Sequence, residues 1–186
     1  MDHYDLLIRN GRVLDADSGF DDIADIAISN GKIERIGPNI NPASSSDSID
    51  ASGQWVMPGM IDTHVHVANA ADLGRIRGLG LQMVAGAGAT TVIDLGGSMD
   101  ALTAGITARG SGVNVGSLGY LKPGETVPEG RLSPGKIAEI VDTALEAGSL
   151  GIKLWGGYYP FTPDETAKFI STANDIGAYV AYHVGT

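Results

Sequence analysis

From residue 54 onward, short apolar stretches alternate with amphipathic ones, and this rhythm narrows the possible folds more than any other property of the chain. The apolar stretches 55–66, 89–95, 112–118, 150–155 and 178–184 read as buried strands. Between them, 70–87, 99–109, 134–147 and 163–176 read as helices. Ser133-Pro134 is an N-cap followed by proline at the first helical position, and Thr162-Pro163-Asp164-Glu165 is a capping box with the same proline. Gly148 and Gly177 fall where helix-terminating glycines belong. Alternating strands and helices imply a parallel sheet with right-handed crossovers. A repeat of roughly 30 residues is that of a TIM (β/α)8 barrel. The expected class is therefore α/β, with about five strands of such a barrel in residues 54–186. A doubly wound open sheet is the alternative, but no glycine-rich dinucleotide fingerprint follows the first strand.

The preceding residues have a different character. Leu6-Leu7-Ile8 and Val13-Leu14 flank Asn10-Gly11, while 23–28 and 33–36 flank Asn30-Gly31. Asn-Gly between β-prone runs signals a hairpin, because both residues tolerate positive φ. Two hairpins and a small sheet are expected. Residues 38–53, rich in Ser, Pro, Asn and Asp, read as a linker, so residues 1–53 form a small β domain with its connection.

Charge and composition exclude several functions. Twenty-two acidic against twelve basic residues give a formal net charge of −10. No basic stripe is available for nucleic acid or for an anionic membrane, and neither partner is expected. The absence of cysteine removes disulfides, cysteine zinc sites and thiol nucleophiles. The acidic start Met1-Asp2-His3-Tyr4-Asp5 lacks the apolar core of a signal peptide, and no apolar run is long enough to span a bilayer. A cytoplasmic protein is the expectation.

His64-Val65-His66 ends the first apolar stretch. Alternate side chains of a strand share a face, so the two imidazoles point the same way and form half of a first-row metal site; two histidines that merely finish a strand are the plainer alternative. Asp62, on the same face, can orient one imidazole or serve only as a strand-end carboxylate. Lys153, in Gly151-Ile152-Lys153-Leu154-Trp155, is costly inside a buried strand unless it reaches solvent at the strand end. Burial lowers its pKa, and a neutral amine can capture carbon dioxide as a carbamate able to bridge two metals. His183, thirty positions later, is placed by the repeat at the same height on the next strand, and is otherwise a hydrogen-bonded core histidine. His66, Asp94, Lys153 and His183 all fall at strand C-termini, where barrel enzymes place their chemistry. The loop 119–132 is either a cover for the barrel mouth or an ordinary surface insertion.

Asp5-Leu-Leu-Ile-Arg-Asn-Gly-Arg-Val-Leu14, Ile28-Ser-Asn-Gly-Lys-Ile-Glu-Arg-Ile-Gly37, Val56-Met-Pro-Gly-Met-Ile-Asp-Thr-His-Val-His66, Ala89-Thr-Thr-Val-Ile-Asp94 and Gly151-Ile-Lys-Leu-Trp155 occur in the order found in the metal-dependent amidohydrolases. The chain resembles the N-terminal half of that superfamily, which includes dihydroorotase, hydantoinase and dihydropyrimidinase. The resemblance implies a binuclear site, usually zinc. His64 and His66 would hold one divalent ion, His183 would help hold the other, and carboxylated Lys153 would bridge them. A bridging hydroxide would then attack an amide or imide carbonyl. Tyr158, five positions after Lys153, matches a hydantoinase-type tyrosine that supports the oxyanion; Tyr158-Tyr159 can also be an aromatic pair roofing the barrel.

Three departures from the family qualify this. Dihydroorotases carry an arginine two positions after the second histidine, where this chain has Ala68 and then Asn69, so dihydroorotate is a poor fit. The deacylases of N-acyl-D-amino acids use a cysteine ligand after the second strand, where this chain has Asp94-Leu95-Gly96-Gly97. The family's sixth-strand histidine and eighth-strand aspartate have no counterpart. Half a barrel leaves an open edge and an apolar inner face, so a second polypeptide or fragment is expected to complete it, and an oligomer is expected. The expected activity is hydrolysis of non-peptide C–N bonds in a small amide or cyclic amide. The alternatives are an N-acyl amino acid or dipeptide deacylase of the same superfamily and a metal-free scaffold that retained the fold.

Overall fold

The structure, a computed structural model, describes residues 3–67, 78–156 and 161–183. It divides into two compact units between Pro58 and Gly59.

The first unit is a sheet of β1 (Tyr4–Asp15), β2 (Phe20–Ser29), β3 (Lys32–Gly37), β4 (Ser45–Asp50) and β5 (Trp55–Val56). Its order is β3-β2-β1-β4, with β5 also on β1. Leu7 and Ala27 face each other across β1 and β2 and are fully buried with Tyr4 and Ile40. Val13, Ala24 and Ile26 form a second buried cluster.

One of the two expected hairpin turns is present. Asn30 and Gly31 have φ of 51° and 72° and join β2 to β3 in the tight turn that such a pair favours. Asn10-Gly11, by contrast, is no turn. β1 runs through it, and Arg9 and Asn10 bulge opposite Asp25. Asn10 has positive φ (59°), which suits a bulge as well as a turn. The buried Asp25 carboxylate accepts the Asn10 N–H at 2.9 Å and the Ile40 N–H at 2.8 Å. The first turn lies instead at 16–19, where the Asp15 carboxylate accepts from the Asp17 and Ser18 N–H groups. Replacing Asp25 with alanine orphans both donors and is expected to destabilise the chain by about 2–3 kcal/mol, read from denaturant unfolding midpoints. A loss below roughly 0.5 kcal/mol would show that the bulge does not depend on this carboxylate.

The strand expected over 55–66 is two strands. β5 belongs to the small sheet, with Trp55 and Val56 opposite Arg12 and Val13. After Pro58, which has no N–H to give a ladder, β6 (Met60–Val65) begins the second unit.

That unit continues with α1 (Gly78–Gly86), β7 (Ala89–Asp94), α2 (Met99–Arg109), β8 (Asn114–Ser117), β9 (Gly119–Leu121), α3 (Pro134–Glu146), β10 (Gly151–Leu154), α4 (Pro163–Asp175) and β11 (Tyr179–Tyr182). The caps lie where the sequence places them. The Ser133 hydroxyl accepts the Lys136 N–H, and Thr162 and Glu165 bond reciprocally. Residues 70–77 of the expected first helix lie outside the described residues.

All pairings in this unit are parallel, in the orders β6-β7-β8 and β9-β10-β11. The third strand serves both sheets. It breaks at Leu118, β8 pairing with β7 and β9 with β10. Across the break, the Leu118 N–H donates to the Asp94 carbonyl and the Leu150 N–H to the Ser117 carbonyl. Residues 119–121 are therefore strand rather than loop; three residues are too few for a readable alternation. Helices cover one face. Ile152 and Leu154 pack with Ile137, Ile140 and Val141 of α3 and Phe169 and Ala173 of α4. Val65, Val67 and Val92 pack with Leu81 of α1 and Leu102 of α2. Gly151 lets β11 approach, since a Cβ there would lie 1.8 Å from the Tyr179 carbonyl oxygen. The architecture is the mixed α/β layer expected; a closed barrel takes eight such strands. No helix among the described residues is long and apolar enough to cross a membrane.

Candidate active site

Side chains alternate across a strand, so whatever does not face the helices faces the opposite side of the sheet. Val65 and Val67 pack toward α1 and α2, which turns His64 and His66 to the other face. Ile152 and Leu154 pack toward α3 and α4, which turns Lys153 to that same face. Val180 of β11 packs with them, and Ala181 and His183 take the opposite parity.

The two histidine rings are 5.3 Å apart between centroids, inclined at 62°. Two imidazoles bound to one tetrahedral ion, with metal–nitrogen distances of about 2.0–2.1 Å, would have centroids about 5.2 Å apart. The pair therefore has the spacing of two ligands of one ion. A bulge between Asp62 and Val65 aims it. Asp62 accepts the backbone N–H of His64 at 3.1 Å, so its bond is to the strand backbone and not to an imidazole. Bulges recur beside active sites because they redirect a side chain at a strand end.

The pKa of His66 is lowered, first by desolvation; the neighbouring His64, Lys153 and His183 act in the same direction, and Asp94 opposes them. The electrostatic reach of one imidazole thus includes all three other candidate ligands. A lowered pKa favours the neutral imidazole, the form that binds metals. Lys153 is only 3% exposed, and burial lowers its pKa. Its amine is held toward the neutral form for want of water.

The register corrects one expectation. Lys153 lies opposite Ala181 on β11 and Tyr120 on β9. His183 is two residues beyond Ala181, on the same face but roughly 6–7 Å farther along the strand. Its N–H donates to the Leu154 carbonyl at 2.9 Å. Asp94 is also placed differently from a site residue. It shares the parity of Val92, toward the helices, and is fully buried behind the strand ends.

Two aromatic residues that the sequence did not single out adjoin the site, one against a histidine and one against that aromatic. Trp155 packs edge-on to His66, with centroids 6.3 Å apart, and lies 6.3 Å from Tyr120. The Tyr120 hydroxyl donates to Glu125, which also pairs with Lys122 at 2.7 Å. Part of the segment after the third strand is thereby tied down beside the site. Trp155 could have been found from its place two residues after Lys153; Tyr120 carried no such signal.

Among the described residues, no three His, Asp or Glu side chains gather closely enough to hold a metal ion by themselves. The donors brought together are imidazoles and an amine. They fit a metal if the lysine counts as a ligand. A cleft of about 970 Å³ lies elsewhere, where α3 and α4 begin, and neither histidine nor Lys153 lines it. Site chemistry and not cleft size locates the centre.

Over 62 residues the chain is 45% identical to the dihydroorotase of Trichlorobacter lovleyi, a match that takes in 33% of this chain and 15% of that enzyme. Over 61 residues it is 46% identical to the dihydroorotase of Streptococcus pneumoniae serotype 4, 33% of this chain and 14% of that enzyme. The fold resembles that of L-hydantoinase (dihydropyrimidinase) from Arthrobacter aurescens, with a TM-score of 0.72 and 23% identity over 97% of this chain and 40% of that one. A third of this chain in sequence, and nearly all of it in fold, is thus similar to enzymes of the amidohydrolase superfamily. A second amidohydrolase structure, the N-acyl-D-glutamate deacylase of Bordetella bronchiseptica, complexed with zinc and a phosphonate inhibitor, matches with a TM-score of 0.68 and 19% identity over 100% of this chain and 46% of that one. The chain thus spans less than half of these amidohydrolase structures. No family model matches it. Tyr158 lies outside the described residues, as do Ala68 and Asn69.

Proposed function

We propose that this chain carries part of the active site of a metal-dependent hydrolase of non-peptide C–N bonds, acting on a small amide or cyclic amide. The observation that carries the proposal is the His64–His66 pair, spaced for one ion at 5.3 Å and within electrostatic reach of a buried lysine. His64 and His66 hold one divalent ion, zinc being the leading choice. His183 would help to hold a second, and Lys153, as its carbamate, would supply an anionic ligand. Bound there, the ions supply Lewis acidity toward a carbonyl and bring the pKa of water near neutrality.

The chain's own groups prepare that centre. The neutral Lys153 amine attacks carbon dioxide; an N–C bond forms, a proton leaves to solvent and a carbamate anion remains. Its negative charge is the one a buried cationic centre needs. His66 keeps its lone pair because its pKa is lowered. Trp155 packs edge-on to His66, and Tyr120 packs beside Trp155. Tyr158 is proposed as the hydrogen-bond donor to the developing oxyanion.

The activity belongs to the protein in which the remaining strands are present, whether on this chain, a cleaved fragment or a separate subunit. Intact and native mass of the purified sample identify which, and whether it is an oligomer. Metal analysis with a substrate panel tests the function. Bound divalent metal and turnover of uncharged cyclic amides are expected, with dihydroorotate a poor substrate. Preference for N-acyl amino acids or dipeptides would move the protein to the deacylase branch. Absence of metal from protein prepared without chelators would leave a scaffold.

A further inference from the structure

Asp94 is a fully buried carboxylate at the end of β7, turned away from the face that carries the histidines. Its Oδ2 accepts the Val67 N–H at 2.6 Å, and its Oδ1 accepts the Gly96 and Gly97 N–H groups at 2.8 and 2.9 Å. The Asp94 carbonyl accepts the Leu118 N–H at 3.0 Å and the Ser117 hydroxyl at 3.2 Å. This residue therefore fastens the ends of the first three strand positions to one another. Val67 is the residue after His66, just past the end of β6. Of these contacts among the described residues, the one to Val67 acts on the chain beside His66.

We infer that Asp94 is a positioning residue for His66: its carboxylate clamps the peptide that follows the histidine and so sets where the imidazole stands relative to His64. The inference rests on the metal reading of His64 and His66. Three N–H donors converge on the carboxylate, so an amide cannot replace it. An asparagine at 94 keeps an oxygen for the two glycine donors and turns its NH₂ toward the Val67 N–H. Donor then faces donor, and the peptide after His66 is released while the rest of the junction persists.

Zinc titration of wild type and D94N, with amide and imidazole NMR of both proteins free of metal, tests this. Ser117→Ala serves as a control, since it loosens the same junction without touching the carboxylate. D94N is expected to bind zinc at least about tenfold more weakly, the scale seen when outer-shell partners of ligands are removed. Its Val67 amide and His66 ring signals should move already without zinc. Ser117→Ala should bind zinc as wild type does. Wild-type affinity in D94N, or equal losses in D94N and Ser117→Ala, would overturn the positioning role. A wild-type protein that binds no zinc would instead overturn the metal reading, and the metal-free Val67 and His66 signals would then decide the clamp. If D94N does not fold, the wild-type chain still answers. A scalar coupling across the hydrogen bond from the Val67 amide nitrogen to the Asp94 carboxylate carbon, present before zinc is added, supports the clamp; its absence overturns it.

Discussion

Lys153→Ala is expected to strip the protein of divalent metal and to lower turnover by on the order of 10³-fold or more, because groups that act as one unit fail together. The lysine is 3% exposed, faces the side of the sheet that carries the histidines, and has its pKa lowered by burial. A buried amine without a job is a liability, and alanine would remove it at the expense of a cavity. As a carbamate the same side chain supplies an anion where imidazoles alone leave a cation uncompensated. Short carboxylates, or carbonate with carbon dioxide, should partly restore metal content and activity to the alanine variant by occupying the vacated space. Unchanged metal content in Lys153→Ala would end the bridging proposal.

The same residue makes a separate statement about stability. Its pKa in the folded chain lies below the ordinary lysine value of 10.5. Between the two values the unfolded chain binds the extra proton, so the stability of the metal-free protein should rise with pH up to about 10.5 and fall as pH drops below it. Lys153→Met keeps the volume and removes the titration. In chelator, at neutral pH, it is expected to be more stable than wild type by about 1–3 kcal/mol, with the gain shrinking as pH rises. Denaturant unfolding at several pH values reads this directly; a gain independent of pH would mean that packing and not protonation is responsible.

His66→Ala is expected to weaken zinc binding by more than about 100-fold, beyond the loss from removing an outer-shell partner. The 5.3 Å separation from His64 suits a shared ion, and one imidazole of a pair cannot replace the other. The pH dependence carries a sign. Protons compete with metal for the imidazole, and the His66 pKa is lowered below 6.5, so wild-type affinity should persist to more acid pH than an ordinary histidine would allow. Without metal, the neutral form adds stability that is complete above pH 6.5 and is lost as pH falls through the window below it. Competition with a chromophoric chelator across pH 5–8 measures the affinity. A wild-type affinity that already falls away near pH 7 would contradict the neutral imidazole, and a His66→Ala protein with undiminished affinity would remove this residue from the site.

The helices and most strands of the second unit could be read from the chain because their signals are local. Ser133 and Thr162 cap helices by accepting N–H groups three residues on, and apolar stretches 89–95 and 150–155 bury themselves whatever their neighbours. His64-Val65-His66 was legible for the same reason, since two residues at period two share a face in any strand. The order of motifs also carried the likeness to the amidohydrolase superfamily. Nothing local, however, could separate Asn10-Gly11 from Asn30-Gly31. Both supply positive φ, and only the partner across the sheet made one a bulge facing Asp25 and the other a turn.

Heights and facings were likewise beyond the sequence. A thirty-residue spacing put His183 level with Lys153, whereas strand pairing sets Ala181 there. Asp94 counted among the strand-end residues, but the tertiary arrangement turned it toward the helices and gave it the backbone of Val67 to hold. The physical reason is common to all of these. Periodicity and caps act within a few residues and survive in any context, while register depends on hydrogen bonds between segments fifteen or more residues apart. A slip of one position there changes which side chains meet without altering a single local preference.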